Sequence, residues 1–186
     1  MIKIKTVEWQ AKKLGELCKI TTGNSNTVDA IADGPYTFFD RSKIIKRSRR
    51  FLFDAEALII PGEGQEFFPR YYSGKFDLHQ RAYALLDFNK DTNIKFVEYF
   101  LIFEHKYFER VAVGATAKSL RRRHFEDLEI SLPSFSEQKR IVKILDEVFE
   151  EVGKAKGNAE KNLRNSRELF ESYLQSVFEN KGEGWE

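Results

Sequence analysis

Apolar and polar positions along this 186-residue chain follow one rule before Pro133 and another after it. Before it, apolar residues come in short runs cut by glycine, proline and small polar residues, the pattern of strands and turns. A turn at Gly15 leads into a short strand that includes Ile20 and stops at Gly23. Residues 23–34 are small and polar and read as a loop. Tyr36-Thr37-Phe38-Phe39 reads as a strand, residues 41–50 as a basic loop or short helix, and residues 55–60 as a buried strand. Pro61-Gly62-Glu63-Gly64-Gln65 reads as a flexible loop that opens into an aromatic and cationic stretch, residues 67–75, ordinary loop in character. Residues 82–88 form the next strand and Asn89-Lys90-Asp91 a turn. Thr92 is placed to cap a helix over 93–110, whose Phe96, Val97, Phe100, Leu101, Phe103 and Phe108 cover most faces and so imply burial. Val113-Gly114-Ala115-Thr116-Ala117 is a small-residue turn, residues 119–125 are short and basic, and Leu128, Ile130 and Leu132 alternate as a last strand. Strands and helices alternate without a regular βαβ count, so the globular part is mixed α/β, of the α+β kind.

Pro133 ends that strand, because proline donates nothing to a sheet ladder and holds Leu132 out of helical space. Ser134 and Ser136 are N-cap candidates, and Ser134 with Glu137 fits a capping box. Beyond them Ile141, Leu145, Val148, Val152, Ala155, Ala159, Leu163, Ser166, Phe170, Tyr173 or Leu174, and Val177 recur in steps of mostly four and three. That is a heptad seam with a stutter near Leu163. About 44 helical residues span ~66 Å at 1.5 Å per residue. A stripe so long and narrow needs a second helix alongside. Gly153 and Gly157 each weaken the helix by ~1 kcal/mol relative to alanine. Beside Ala155 and Ala159 they fit a close helix approach. The expected organisation is a domain over residues 1–135, a long dimerisation or spacer helix over 136–181, and a tail over 182–186.

Composition adds less than pattern. A 41% hydrophobic share with 17 Phe and 7 Tyr is ample for a core. The single cysteine, Cys18, excludes an internal disulfide framework and a cysteine-based zinc site. It fits a reducing cytosol. The first residues lack the apolar core of a signal peptide, and no apolar run approaches the ~20 residues of a membrane span, so a cytoplasmic location is expected. Net charge is +2 but unevenly spread: residues 1–137 hold 22 Lys/Arg against 19 Asp/Glu, and the rest 9 against 10. Six Lys/Arg crowd into residues 41–50, and Arg121-Arg122-Arg123 precedes His124. Such clusters suit phosphate contacts, and equally suit a solvated face.

Enzyme readings find little support. Residues 61–65 do not open a helix in a βαβ unit, so the likeness to a dinucleotide loop is weak. Glu104-His105-Lys106 with Asp87 or Asp91 upstream is a spacing seen in metal-dependent nucleases, but Glu104 falls in an apolar helix. His79, His105 and His124 have no metal-ligand spacing, and no metal site is expected. Residues 62–81 are the stretch whose residue types point to binding. Arginine and glutamine can read base edges there, while Tyr, Lys and Ser suit phosphates.

Trp9, Lys13-Leu14-Gly15-Glu16-Leu17, Ile20 and Gly23 resemble the opening of a target-recognition domain from the specificity subunit (HsdS) of type I restriction–modification systems. Gly114-Ala115-Thr116-Ala117-Lys118-Ser119-Leu120, then Leu128, Ile130, Leu132-Pro133, Glu137-Gln138 and Ile141, resemble its closing segment and entry into the helical region. Ser134 stands where that family often has a second proline, and Ala115 where a Ser or Thr is usual. The resemblance implies a non-catalytic subunit that binds double-stranded DNA in a phage-defence system. Each recognition domain reads half of a split target, and the helices space two domains and dock methyltransferase subunits. S-adenosylmethionine, ATP and magnesium would belong to those methyltransferase and to restriction/translocase subunits, with no cofactor bound by this chain. One domain and one helix, with Gly184-Trp185-Glu186 echoing Glu8-Trp9-Gln10, imply a half-subunit or fragment that pairs as a homodimer through antiparallel helices. Base readout is then expected from Gln65, Arg70, His79, Gln80 and Arg81, and backbone or groove contacts from Tyr36, Lys43, Arg47, Tyr71, Tyr72, Lys75 and Lys118. The rival readings are a coiled-coil protein-interaction adaptor and a small metal-dependent nuclease.

Overall fold

The computed structural model describes residues 9–179, and they divide into two units between Val142 and Lys143. The tail over 182–186 and the tryptophan echo at Trp185 therefore lie outside the described residues. Ten strands and four short helices make the globular unit: β1 (Gln10–Lys13), α1 (Leu14–Leu17), β2 (Lys19–Thr22), β3 (Tyr36–Phe39), β4 (Lys46–Ser48), β5 (Phe53–Pro61), β6 (Glu63–Gly64), β7 (Arg70–Leu78), β8 (Ala82–Leu86), α2 (Ile94–Phe103), α3 (His105–Val111), β9 (Lys118–Ser119), α4 (Arg122–Glu126) and β10 (Glu129–Leu132). The last helix, α5 (Phe135–Glu179), begins in this unit and continues through the second.

Six strands form one sheet in the order β2-β8-β5-β7-β3-β4, antiparallel except for the β3–β7 pair. Residues 57–60 are fully buried, because β5 is central and both its faces are covered. That explains their unbroken apolar run. Ala57 and Ile59 pack with Phe39, Phe76, Leu78, Ala82, Ala84 and Leu86 on one face. Leu58 and Ile60 pack on the other with Ile20 and Leu85, and with Leu14, Leu17, Val97, Leu101, Phe108 and Phe125 from the four short helices. β7 curls strongly: Leu78 at its end pairs with Phe39, and the Arg70 guanidinium at its start lies 5.2 Å over the same ring. Gly74 sits between them at φ 123°, a conformation that L side chains rarely adopt. Past β2, Ser25 bridges to His79, so the edge folds back towards the end of β7. Ser25 and Ser48 also donate to Asp77, which has no exposed surface.

Several elements differ from the sequence expectation. The 67–75 stretch is not loop: most of it belongs to β7, which lies between β5 and β3. Its polar residues obscured the alternation, since Tyr71 faces one core and Tyr72 the other. The helix expected over 93–110 is two helices that break at Glu104. Its cap is Asn93 instead of Thr92, with Oδ1 accepting from the backbone N–H of Lys95 and Phe96. The basic stretch 41–50 contains the edge strand β4. Gly15 lies within α1, and β1 ahead of it went unread because its four residues are all exposed.

α5 starts one residue earlier than expected, and the Glu137 carboxylate of the expected capping box accepts from Arg140. Ser134 precedes the first helical residue, and its Oγ accepts from Glu137 N–H at 3.4 Å. Gln138 is wholly buried, and its amide accepts from Asn93 N–H and donates to Asp91 and Pro133 carbonyls. Ile141 and Val142 pack on the globular core, so the unit extends about two helical turns past residue 135. In the second unit every described residue from 147 to 179 is exposed. Val148, Val152, Leu163, Phe170, Leu174 and Val177 of the seam are each at least 39% exposed, joined by Phe149, Leu169, Tyr173 and Phe178. No helix among the described residues is long and apolar enough to cross a membrane.

Candidate nucleic-acid interface

Three connections meet around Glu63. The first is β6, which pairs with β9 so that Glu63 lies opposite Ser119 and Gly64 opposite Lys118. Gly62 anchors it by donating to Arg81 O and accepting from Leu120 N–H. A Cβ on Gly62 would lie 2.5 Å from that Arg81 oxygen, which is why glycine stands there. The second is the turn from β7 to β8, carrying His79, Gln80 and Arg81. The third is the β3–β4 connection, which carries Arg41 and Lys43. Glu63 accepts from Arg41 at 2.7 Å and from Arg81 at 3.0 Å. Burial works to raise the Glu63 carboxyl, but the hydrogen bonds and charges of the two arginines outweigh it and hold it below the ordinary carboxylate range. Both arginine side chains keep about half their surface in solvent, 44% for Arg41 and 55% for Arg81. One carboxylate thus fixes two exposed arginines side by side. The local charge stays positive, with N–H edges available to a phosphate or a guanine.

The other expected site residues divide by what they touch. Gln65 is exposed and, with Arg41, Lys43 and Phe68, lines a cleft of about 420 Å³ beside this cluster. Gln80 is exposed and donates to Asn26 Oδ1. Lys43 pairs with Glu66 while staying 85% exposed. Arg70 instead spends its guanidinium on the carbonyls of Ser42 and Asp40, so it holds the β3–β4 connection. His79 is buried, and its Nδ1 accepts from Arg81 N–H. Burial first, and then the charges of Arg41 and Arg81, disfavour its imidazolium and hold its pKa below the ordinary value. Arg47 donates to Gly34 and Pro35 carbonyls, and Lys118 to Glu109 O.

The four expected aromatic and lysine contacts lie elsewhere on the sheet. Tyr36 packs on Phe51, and Lys75 lies 4.9 Å over that Phe51 ring. Tyr72 shares a hydrogen bond with Thr37. Tyr71 donates to Glu56, and that bond, with burial, pushes its hydroxyl up to about 12. Glu104 sits at the α2–α3 break, and among the described residues no group of three His, Cys, Asp or Glu lies where a metal could be held.

A model of the type I restriction modification DNA specificity domain matches residues 6–160 of the chain. The chain belongs to that family. The EcoDI type I restriction enzyme specificity subunit of Escherichia coli is 31% identical over 154 residues, 83% of this chain and 34% of that protein. Among solved structures, the S subunit of a type I system from M. genitalium superposes at a TM-score of 0.70 with 19% identity, over 96% of this chain and 48% of that one. HsdS from Thermoanaerobacter tengcongensis gives 0.69 with 15% identity, over 95% and 46%. The chain therefore spans about a third of the curated relative and about half of the solved ones.

The motifs that carry the resemblance are made largely of residues that build the domain. Leu14, Leu120, Leu128, Ile130 and Gln138 of the recognised motifs are all buried. Arg41, Glu63 and Asn26, which the geometry adds to the candidate surface, carry no motif. Arg41 was visible as one cation among six, but nothing in the sequence pairs residue 63 with residues 41, 81 and 119.

Proposed function

We propose that the globular unit reads one half of a bipartite duplex DNA target, with its reading surface centred on Arg41, Glu63 and Arg81. The observation that carries this reading is the pair of exposed arginines clamped by one carboxylate. Fixed fork donors of this kind suit guanine O6/N7 or adjacent phosphates, and holding them in place lowers the ordering cost of binding. Gln65 and Gln80 flank the pair as base readers, with Lys43 on the backbone. Tyr36, Lys75 and Tyr72 form a second patch for groove contacts.

In this reading the chain performs no chemistry of its own. It acts in the cytoplasm within a restriction–modification complex, where methyltransferase subunits dock on its helix. S-adenosylmethionine, ATP and magnesium are held by the partner subunits. The apolar seam of α5 pairs with a second copy in antiparallel fashion, and two heads then read an interrupted palindrome. Support comes from the family and from the exposed seam.

Salt-dependent duplex binding tests the surface. Arg41→Ala and Arg81→Ala are expected to lower affinity for the target and relax its sequence at one position each, while leaving the thermal stability of the globular unit intact. If both variants bind and discriminate as the wild type does, the surface lies elsewhere. A coiled-coil adaptor that binds protein predicts no salt-dependent duplex binding at all. Light scattering tests the pairing, and a 21.8 kDa monomer at micromolar concentration would refute it.

A further inference from the structure

Every backbone N–H from His79 to Ala82 has a partner. His79 donates to Phe39 O, Gln80 to Ser25 O, Arg81 to the His79 imidazole and Ala82 to His79 O. The segment that receives Gln80 is fixed in turn. Ser25 has no exposed surface: its N–H donates to Leu78 O, and its hydroxyl donates to the Asp77 carboxylate at 2.7 Å. Asp77 is wholly buried too, accepts from Ser48 and lies 3.5 Å from Arg50 Nε, while Arg50 also donates to Asn24 Oδ1. The approach is close enough to need a glycine, since a Cβ on Gly23 would fall 1.7 Å from Leu78 O. A buried carboxylate thus straps residues 24–26 to the end of β7.

Above that strap two exposed amides meet. Gln80 Nε2 donates to Asn26 Oδ1, although the two residues are 54 apart in sequence. Asn26 is held by its own N–H, which donates to the Asp29 carboxylate at 2.6 Å. One Nε2 hydrogen of Gln80 is spent on Asn26. The other, and the Oε1 acceptor, have no partner among the described residues. A donor and an acceptor in one amide plane match the N7 acceptor and N6 amino group of adenine. No other base offers that pair on its major-groove edge. Held before binding, the amide loses less freedom when it binds. Gln65 is the contrast: it is exposed and has no hydrogen bond among the described residues.

We infer that Gln80 selects an adenine in the half-site, and that Asn26, strapped to the turn through Ser25 and Asp77, is the positioning residue that aims its amide. Arg81 follows directly in the chain, so this reader stands beside the arginine pair and works in the same major groove. The inference rests on the DNA-reading proposal. It names the base that one residue selects and a second residue on which that selection depends.

The test uses the full chain and duplexes enriched by the wild type from a random-sequence pool. In copies of them 7-deazaadenine replaces each adenine in turn, which removes the N7 acceptor and keeps the N6 amino group. At one adenine of the half-site, wild type is expected to prefer adenine over the other bases by about 10- to 100-fold, the scale of one bidentate pair. Most of that preference should vanish with 7-deazaadenine. Gln80→Ala is expected to bind the adenine and 7-deazaadenine duplexes equally, and Gln80→Glu, an acceptor only, to favour cytosine there. Asn26→Ala should lose most of the adenine preference with no fall in the Tm of the globular unit. Asn26→Asp, which keeps the acceptor for Gln80, should retain it. Adenine selection is overturned if wild type tolerates 7-deazaadenine at every position, or if Gln80→Ala discriminates as wild type does. The positioning role is overturned if Asn26→Ala keeps the full preference. DNA reading still stands in each of these cases. If wild type enriches no duplex, the DNA-reading proposal falls and takes this inference with it.

Discussion

The globular unit and the second helical unit solve opposite problems. In the first, each described buried side-chain nitrogen or oxygen has a partner, and some two dozen apolar residues are buried. In the second, every described residue beyond Asp146 is exposed, and its aromatic side chains Phe149, Phe170, Tyr173 and Phe178 are each more than 50% exposed. The first unit holds a shape because its interior is complete. The second leaves the apolar face by which helices are mainly stabilised in water uncovered. On the proposed function, shape-dependent base reading falls to the first and distance-setting to the second.

The deepest cut into that contrast is Phe125→Ala. Phe125 is fully buried against Tyr83 and Phe108, and its loss should cost about 3–5 kcal/mol of the globular unit's stability. Helix association should be unaffected, so differential scanning calorimetry and light scattering will report different things for the same variant. Next is Leu174→Asp. Burying an unpaired charge in a helix seam costs several kcal/mol, so micromolar protein should shift to monomer in light scattering while the globular transition keeps its midpoint. Gln138→Ala lies where helix entry meets globular core. Removing its amide leaves Asn93 N–H and two carbonyls unpaired, for a loss of about 2–3 kcal/mol in chemical denaturation.

Acid should reach the globular unit first. The imidazoliums of His79 and His124 are both disfavoured by burial and then by neighbouring arginines. Their folded pKa values are depressed, so the unfolded chain takes up protons more readily. Stability from this source is full above about pH 6.5 and falls as pH drops through the folded values. His79→Asn should flatten that fall in a Tm-versus-pH series. The smallest change is Gly157→Ala, worth up to about 1 kcal/mol of helix propensity. Nothing within 4 Å obstructs the added methyl in one chain, so a gain in helicity with a loss of pairing would show that a second helix approaches there.

The sequence made the helix legible because a near-heptad repeat runs through 45 residues with little tertiary interference. It made the domain's closing segment legible because Pro133, Ser134 and Gln138 act within a few residues of each other. β7 stayed hidden because it has a core on each face and mixes Arg70, Ser73, Lys75 and Asp77 among its apolar residues. The candidate surface was half legible. Exposed polar residues such as Gln65 and Gln80 stood out by type. Arg70 and His79 look the same in sequence, yet the fold spends them on backbone groups. Glu63 was invisible as a partner, since its two arginines lie 22 and 18 residues away in sequence.

The central claim is that the globular unit reads DNA and that the helix presents two such readers as a pair. Sequencing the duplexes that the intact chain enriches from a random pool tests both parts at once. The account predicts an interrupted palindrome, two inverted half-sites around an unselected spacer. Enrichment of a single uninterrupted half-site would contradict the pairing, and no enrichment at all would contradict the reading.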